Sequence, residues 1–411
     1  MSLLVQKFGG TSVADAERIK AVADHIAAAR SEGDEVVAVV SAMGHTTDDL
    51  ERLARDVSQA PAPREMDMLL TAGERISIAL LCMALIDRGQ RAVSFTGSQA
   101  GIVTDTSHGR AKIVEVKAER IREAVAAGDV AVVAGFQGVS TARDVTTLGR
   151  GGSDTTAVAL AAVLGAEACE IYTDVAGVYT ADPRIVPQAR LLPRLSYEEM
   201  LDMAATGGKV LALRSVEFAR NHGVPVHVRS SFTWQPGTWV REEDPTMEQA
   251  IISGVTHDTS EAKITIAQVP DRPGVAATIF RALADEHVNV DMIVQNVSTA
   301  GHTDVSFTVP QEDLTRSLAV MEKLRTEVDA AGVSHDPAIG RVSLVGAGMR
   351  TNPGVAAQMF EVLAAEGVNI EMISTSAIRI SCVVHEDDVA RAVRALHRAF
   401  GLDERDGAGA A

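Results

Sequence analysis

EVVAVVSAMG, residues 35 to 44, is a run of apolar, mostly β-branched residues that ends in polar and small ones. Four later stretches have the same form: RAVSFTG (91–97), DVAVVAGFQG (129–138), ACEIYTDVAG (168–177) and VPVHVRSS (224–231). Each pattern indicates a buried strand with small polar residues at its carboxyl end. Because longer amphipathic stretches separate them, we expect a three-layer α/β fold whose ligands bind at that edge of the sheet.

The second half of the chain contains a repeat. PGVAATIFRALADEHVNVDMI (273–293) and PGVAAQMFEVLAAEGVNIEMI (353–373) are identical at 13 of 21 positions. A further strand candidate follows each copy, DVSFTVP (304–310) and IRISCVVHE (378–386). The pattern predicts two ferredoxin-like βαββαβ modules.

These patterns set the predicted domains. We expect an α/β domain at 1–245, a first module at 246–336, a second at 337–401 and a disordered tail at 402–411. Two strand candidates, 249–255 and 262–269, precede the first Pro-Gly turn, whereas the second module runs out of strands before the tail. We therefore predict that strand 249–255 is donated to the second module, so that the two modules interlock.

Composition excludes several classes of protein. The formal net charge of -17 over 411 residues opposes binding to nucleic acid or to anionic membranes. The three cysteines, Cys82, Cys169 and Cys382, are far apart in apolar surroundings, which favours reduced core residues over a metal site. No apolar run reaches the roughly 20 residues that span a bilayer, and the start of the chain lacks the features of a signal peptide. We expect a cytoplasmic protein.

QKFGGTS, residues 6 to 12, follows the first apolar stretch and matches neither the Walker A nor the Rossmann spacing. Its composition still suits an anion, because glycines allow close backbone approach and Lys7 adds a charge. Thr11 and Ser12 are suitable N-caps for the helix that follows. A tight turn beside a surface lysine explains this stretch alone equally well.

Two more stretches favour phosphate binding. TTLGRGGSDTTAVALAAVLGA (146–166) places three glycines and Arg150 before an apolar helix, and TDVAGVYTADPR (173–184) follows a strand. Arg150 has the fork geometry that binds a carboxylate or phosphate, although a solvated loop cation is the simpler reading. Asp154 could equally be an ordinary helix N-cap.

With KFGGTS, SAMGHTTDDL, TAGERIS, GFQG, RGGSDTTA and YTADPR in this order, followed by paired modules, the chain resembles the aspartate kinases of the amino-acid kinase family. The resemblance covers the chain to about residue 400, and the repeats resemble amino-acid-sensing ACT domains. It implies transfer of the γ-phosphoryl group of MgATP to the side-chain carboxylate of L-aspartate, the first step of lysine, threonine and methionine biosynthesis. A carboxylate nucleophile needs no general base. This agrees with the absence of histidine from the phosphate-binding positions of these loops.

The resemblance also implies site residues. Lys7 and Asp154 would be catalytic, and L-aspartate would bind Thr47, Glu74, Arg150, Gly152 and Ser153. ATP, carrying Mg²⁺, would bind Lys7, Gly9, Gly10, Ser41, Thr173, Asp174, Tyr179, Arg184 and Lys209. No metal site made only of protein side chains is expected.

Feedback control is implied by the ACT modules. Threonine would bind Asp271, Gly274, Ala276, Gln295, Asn369 and Ile370, and lysine would bind near Asp291, Thr375 and Ser376. Ala377 stands where related enzymes often carry an acidic residue, which puts lysine control in question. The assembly would be a homo-oligomer through ACT domains, or an α2β2 complex with a shorter subunit that starts near Met247.

Two alternatives stay open on the sequence alone. The chain could phosphorylate another substrate of the amino-acid kinase family, such as glutamate, or it could be a catalytically inactive amino-acid sensor. The presence of Lys7, Arg150, Asp154 and Lys209 argues against an inactive sensor.

Overall fold

The structure is a computed structural model that describes residues 2–233, 235–242, 251–296, 301–350, 352 and 354–403. Contacts divide the chain into two compact units. The first comprises Met1–Tyr179 and Leu191–Glu248, and the second comprises Thr180–Arg190 and Gln249–Ala411. Thus the chain leaves the first unit after Tyr179, contributes eleven residues to the second, and returns at Leu191.

The first unit contains twelve described strands. They are β1 (Leu3–Phe8), β2 (Glu35–Val40), β3 (Ala92–Phe95), β4 (Ile102–Thr104), β5 (Ile113–Val116), β6 (Val130–Ala134), β7 (Gln137–Ser140), β8 (Val145–Thr147), β9 (Ala168–Thr173), β10 (Arg194–Ser196), β11 (Val226–Ser230) and β12 (Thr238–Arg241). Its helices are α1 (Ala16–Ser31), α2 (Thr46–Val57), α3 (Pro63–Leu70), α4 (Ala72–Ile86), α5 (Glu119–Ala126), α6 (Gly152–Leu164), α7 (Tyr197–Ala205) and α8 (Leu213–His222).

An eight-stranded sheet forms the centre of the first unit, in the order β10-β12-β11-β9-β1-β2-β6-β3. The six strands from β11 to β3 pair in parallel, so the carboxyl ends of β1, β2, β6, β9 and β11 share one edge. Apolar side chains of α1 and α4 pack against one face, and α6 packs against β1 on the other. Strands β5-β4-β7-β8 form a separate small sheet.

Alternation along β1 directs neighbouring residues to opposite faces of the sheet. Phe8 belongs to the core formed with α1 and α4, whereas Lys7 contacts α6. A site at the end of β1 is therefore built on the α6 face.

The described residues of the second unit form two sheets of four strands. Its elements are β13 (Gly254–Asp258), β14 (Glu261–Pro270), α9 (Val275–Asp285), β15 (Ile293–Gln295), β16 (His302–Pro310), α10 (Leu314–Glu327), β17 (Gly332–Asp336), β18 (Ile339–Val345), α11 (Val355–Ala365), β19 (Met372–Thr375), β20 (Arg379–His385) and α12 (Val389–Ala399). The sheet orders are β15-β16-β14-β17 and β13-β18-β20-β19. The predicted fold class, an α/β catalytic fold followed by two interlocked ferredoxin-like modules, is confirmed.

The strand predicted at 249–255 runs instead from Gly254 to Asp258, and residues 249 and 250 lie outside the described part of the chain. It pairs antiparallel with β18, the first strand of the second module, with Gly254 opposite Val345. The predicted tail at 402–411 is described only to residue 403, and Met247 also lies outside the described residues.

Residues Thr180–Arg190 belong to the hydrophobic core of the second module. Ala181 and Val186 are buried there with Val255, Leu344 and Leu396. A first-domain boundary drawn only by sequence position at 1–245 does not capture this excursion, because the contacts that define it join residues about 70 to 215 positions apart.

Among the described residues, one helical stretch has the length and apolar character of a membrane span. It is Pro63–Ile86, 24 residues long, and 56% of its most apolar window is buried inside the protein. A helix in a soluble core has the same composition, because it also packs its side chains away from water.

Candidate active site

Lys7 and Asp154 form an ion pair at the centre of the first unit. The Lys7 Nζ lies 2.7 Å from the Asp154 Oδ1, and the two side chains are only 12% and 11% exposed. Lys7 is the penultimate residue of β1, and Asp154 lies in the first turn of α6. The partial positive charge of the helix N-terminus favours the Asp154 carboxylate there.

The loop after β1 is close-packed against the loop after β2. A Cβ atom on Gly10 would lie 2.9 Å from the Ala42 carbonyl oxygen, so only glycine fits. The Gly9 N–H donates to the Tyr172 carbonyl oxygen at 3.2 Å. Gly9 therefore provides close backbone approach in this structure, and its N–H is already engaged by the protein.

The prediction that Thr11 or Ser12 caps the following helix is wrong. Residues Gly10–Val13 form a short 3-10 helix, and α1 begins after Asp15, whose carboxylate accepts from the Arg18 N–H. The Ser12 hydroxyl instead donates to the Ser231 Oγ at 2.9 Å. A second cap residue three positions downstream, closer to the amphipathic run, decides where the helix starts.

The glycine-rich loop before α6 needs its glycines for geometric reasons. Gly151 adopts a φ of 71°, and a Cβ atom there would lie 2.2 Å from the Ala212 Cβ. Gly151 is the N-cap of α6 and makes no side-chain cap, so Ser153 and Asp154 lie inside the helix. The side chain of Asp154 is thereby left to pair with Lys7.

Glu74 of α4 is the most unusual group near this edge. It is 2% exposed, its Oε1 accepts from the Ala42 N–H at 3.1 Å, and its Oε2 has no hydrogen-bond partner among the described residues. Burial raises the pKa of the Glu74 carboxyl to about 7, although the backbone N–H donors oppose this shift. Such a carboxylate would be stabilised by a bound cation.

The other predicted substrate residues, and the predicted nucleotide residue Ser41, differ in burial. The Ser41 hydroxyl donates to the Ser153 Oγ at 3.0 Å, which joins the loop after β2 to the start of α6. Gly152 is buried, Thr47 at the start of α2 is half-buried, and Arg150 is exposed. Arg150 is thus accessible to a ligand at the rim of the loop.

Three of the predicted nucleotide residues, Thr173, Asp174 and Tyr179, lie at the end of β9 or just after it. Thr173 ends β9 and its hydroxyl donates to the Asp174 Oδ1 at 3.0 Å. Tyr179 is half-buried, and Lys209 is exposed in the loop before α8. Arg184 belongs to the second unit, where it pairs with Asp182 at 2.7 Å and its side chain is 89% exposed.

The predicted effector residues lie at the turns of the two modules. Gly274 and Gly354 are equivalent N-caps with φ of 99° and 106°. Asp291 forms an ion pair with the buried Arg341, so it is already engaged by a cation from the second module. Asp271, Ala276, Gln295, Asn369, Ile370, Thr375 and Ser376 occupy turns, strand ends or the first turn of α9.

Sequence reasoning missed two residues that hold the loop before α6. Arg214 of α8 donates to the carbonyl oxygens of Leu148 (2.9 Å) and Ala111 (2.8 Å). Asp67 of α3, which is fully buried, accepts from the Thr147 hydroxyl at 2.6 Å. No local pattern marks either residue, because their partners lie 66 to 103 positions away for Arg214 and 80 for Asp67.

In the described residues, no group of three or more His, Cys, Asp and Glu side chains is arranged to hold a metal ion. Comparisons with known proteins agree with the geometry. The amino acid kinase family matches residues 2–230, and an ACT domain matches 264–324 and 342–400. The aspartokinase of Mycolicibacterium smegmatis is 57% identical over 411 residues, which covers 99% of this chain and 98% of that one.

The chain belongs to the aspartokinase family. The Corynebacterium glutamicum aspartokinase is 55% identical with the same coverage. The crystal structure of E. coli aspartokinase III in complex with aspartate and ADP (R-state) has a TM-score of 0.83 at 26% identity, covering 97% of this chain and 99% of that chain. Members of the family are ATP-dependent kinases that act on aspartate, and this chain is such a kinase with ACT regulatory domains.

Proposed function

We propose that the site around the Lys7–Asp154 ion pair, at the carboxyl end of β1, catalyses the transfer of the γ-phosphoryl group of ATP to the side-chain carboxylate of L-aspartate. One aspartate carboxylate oxygen forms a bond to the γ-phosphorus while the bond to the oxygen that bridges it to ADP breaks. The products are 4-phospho-L-aspartate and ADP, and no proton is transferred. The observation that carries the proposal is the buried Glu74, whose Oε2 lacks a partner among the described residues and suits the α-ammonium of an amino acid.

Electrostatic stabilisation is the main task of such a site, because an anion must approach a polyanion. Lys7 places a full charge at the end of β1, and the N-terminus of α6 adds a partial positive charge beside it. Asp154 orients Lys7. We assign these two residues to the transferring phosphoryl group.

The substrate aspartate would be held by the two charged groups on its α-carbon, which leaves its side-chain carboxylate to react. Glu74 binds its α-ammonium, Arg150 forks onto its α-carboxylate, and Thr47, Gly152 and Ser153 contact the remainder. ATP would contact Gly9, Gly10, Ser41, Thr173, Asp174, Tyr179, Arg184 and Lys209. Mg²⁺ is expected to arrive with the phosphates, where it neutralises their charge.

Hydroxylamine trapping of the acyl phosphate tests the reaction. With ATP and L-aspartate the purified chain is expected to form the hydroxamate, and with L-glutamate it is not. Equal product with glutamate would reassign the substrate, and no product with either would refute the proposed reaction.

Arg150→Ala is expected to raise the KM for aspartate by about tenfold or more, with a smaller effect on the KM for ATP. The reason is the loss of a charge-assisted fork to the α-carboxylate, since hydrogen bonds to charged groups contribute about 1.5–3 kcal/mol. Initial rates at varied aspartate and fixed ATP measure it. Arg220→Ala, an exposed arginine of α8, is the control and leaves both constants unchanged. A Michaelis constant for aspartate that stays at the wild-type value in Arg150→Ala would remove Arg150 from the site.

Effector control is proposed to act through the ACT modules, with threonine at the residues near Gly274 and Asn369 and lysine near Asp291 and Ser376. In support, the two Gly N-caps expose helix N-termini to an anionic group such as an α-carboxylate. The crystal structure of E. coli aspartokinase III in complex with lysine and aspartate (T-state) is also similar to this chain, with a TM-score of 0.75 at 26% identity.

We propose that the enzyme is cytoplasmic and assembles either as a homo-oligomer through ACT domains or as α2β2 with a shorter chain from Met247.

Ala377→Glu is expected to lower the lysine concentration that gives half-inhibition by about tenfold, because a carboxylate would pair with the lysine ammonium. Ala377 is exposed in the tight turn between β19 and β20, where the Ser376 N–H donates to the Arg379 carbonyl oxygen. Ala377→Gln matches the size without the charge and is the control. Equal inhibition of the wild type and both variants, with threonine present and absent, would show that this position does not contact lysine.

A further inference from the structure

A cavity lies on the face of the sheet that is opposite to Lys7. It has a volume of about 470 Å³ and lies between α1 and the residues that follow β11. Its floor includes Phe8 and Tyr172, whose rings stack at 4.9 Å between centroids, and its rim includes Arg18, Arg229 and Phe232. Volumes of about 300–1,000 Å³ are typical of small-molecule sites.

Arg229 is fixed in this cavity from behind. Its Nη1 donates to the Glu170 Oε1 at 3.2 Å and to the Tyr172 hydroxyl oxygen at 3.3 Å. Desolvation alone would raise the pKa of the buried Glu170, but the adjacent His227 ring, hydrogen bonds from Gln6 and Tyr172 and the charge of Arg229 lower it to about 2, so the pair is ionised. The Nε and Nη2 of Arg229 have no hydrogen bond to another described residue. These two nitrogens can therefore donate to a ligand from a guanidinium group that is already held in place.

Arg18 supplies a second cation from α1. Its guanidinium carbon lies 4.1 Å from the centre of the Phe232 ring, and no carboxylate among the described residues forms an ion pair with it. Asp24 is the one carboxylate that lines the cavity, and Arg88 already binds both of its oxygens. His25, whose Nε2 is 2.6 Å from the Tyr172 hydroxyl, has its pKa lowered by burial and is therefore neutral at pH 7.

The cavity thus carries one unbalanced positive charge, that of Arg18, because Glu170 balances Arg229 and Arg88 balances Asp24, in a chain whose formal net charge is -17. We propose that it is a binding site for a small anion, a carboxylate or a phosphate, that carries a flat apolar body. The anionic group would lie between the Arg18 and Arg229 guanidinium groups, within reach of the Ser230 and Thr233 hydroxyls. The apolar body would lie against the exposed part of the Phe232 ring and the alanines of α1.

A ligand here would touch the back of the catalytic loop. Phe8 is the neighbour of Lys7 on the same strand, and the Tyr172 carbonyl oxygen accepts from the Gly9 N–H. Ser231, which also lines the cavity, accepts from the Ser12 hydroxyl. A ligand in the cavity would therefore be linked through these contacts to both ends of the KFGGTS loop. The proposed site is nevertheless distinct from the phosphoryl-transfer site on the α6 face.

Isothermal titration of the full chain with phenyl phosphate and with benzoate tests the proposal. The titrations are made with saturating AMP-PNP and aspartate, so that the candidate active site is occupied and its own anion binding does not contribute. We expect at least one probe to bind, and its dissociation constant to rise about tenfold in Arg18→Gln. The matched control is Lys20→Gln, which removes an exposed cation of the same helix that pairs with Glu17.

The two probes distinguish a phosphate from a carboxylate as the preferred head group. Phe232→Ala gives an independent check, since it removes the ring surface and lies outside the proposed catalytic residues. The proposal is overturned if neither probe binds, or if Arg18→Gln and Lys20→Gln bind the probe equally. Binding that is seen in a titration without AMP-PNP and is lost when AMP-PNP is added would assign the probe to the nucleotide site and would also overturn the proposal. A failed hydroxylamine assay would leave the result of these titrations unaffected.

Discussion

Lys7→Ala is expected to lower the turnover number by about 10³-fold. Removal of one preorganised group that stabilises developing charge typically costs 10²–10³ in turnover, and Lys7 carries a full charge in a site that is only 12% exposed. The fold should persist, because the Asp154 carboxylate that is left lies in the first turn of α6, where the helix dipole stabilises it. Hydroxamate formation measures the rate, and circular dichroism measures the unfolding temperature.

Lys20→Ala is the matched control for Lys7→Ala, since Lys20 is an exposed lysine whose ion pair with Glu17 is on the surface of α1. It should retain wild-type turnover. If Lys7→Ala kept a turnover within a few fold of wild type, Lys7 would not act on the transferring phosphoryl group.

Glu74→Gln is expected to have opposite effects on activity and stability. It removes the negative charge assigned to the α-ammonium of aspartate, so kcat/KM for aspartate should fall by about 100-fold or more. The amide oxygen can still accept from the Ala42 N–H, so the local structure should be kept. Initial rates at varied aspartate measure the loss, and Glu65→Gln, an exposed carboxylate of α3, is the control.

Stability should change in the other direction because the pKa of Glu74 is raised from 4.5 to about 7. Between pH 4.5 and 7 the folded protein keeps a proton that the unfolded chain has lost, so the free energy of unfolding falls as the pH rises. Above pH 7 the full cost of about 3 kcal/mol applies, and Glu74→Gln removes it. Thermal unfolding without ligands should therefore show a stabilised variant at pH 8 and no difference at pH 4.

A pH-independent difference between Glu74→Gln and wild type would show that the carboxylate is not held with a raised pKa. Addition of aspartate gives a second distinction, because it should stabilise the wild type at pH 8 and have little effect on the variant. If Glu74→Gln lowered kcat/KM but aspartate still stabilised the variant at pH 8, Glu74 would be assigned to a step after binding.

Local patterns were sufficient for much of the architecture. The apolar runs that begin with EVVAVVSAMG became strands of one sheet, since buried parallel strands need continuous apolar sequence. The gapless repeat at 273–293 and 353–373 became two modules with equivalent Gly-capped helices. These features depend on periodicity and on glycine conformation, both of which are properties of short segments.

Details that depend on contacts distant in sequence were not predicted. The engagement of the Gly9 N–H by Tyr172 was one such detail, since it requires the pairing of β1 with β9. The capping of α1 by Asp15 was missed for a local reason, because two hydroxyl residues nearby were equally suitable caps. The packing of Thr180–Arg190 in the second unit could not be read from its own residues.

The amino-acid sequence by itself determined the fold class, the repeated modules and the residue types available for phosphoryl transfer. Only the tertiary structure decided which of these groups are buried and which of them have a protein partner among the described residues. It brought Asp154 to Lys7, left one oxygen of Glu74 unpaired among the described residues, and placed two arginines around a cavity on the other face of the same strand. The physical reason is that burial and charge environment are sums over neighbours from distant parts of the chain, whereas strand and helix patterns are local.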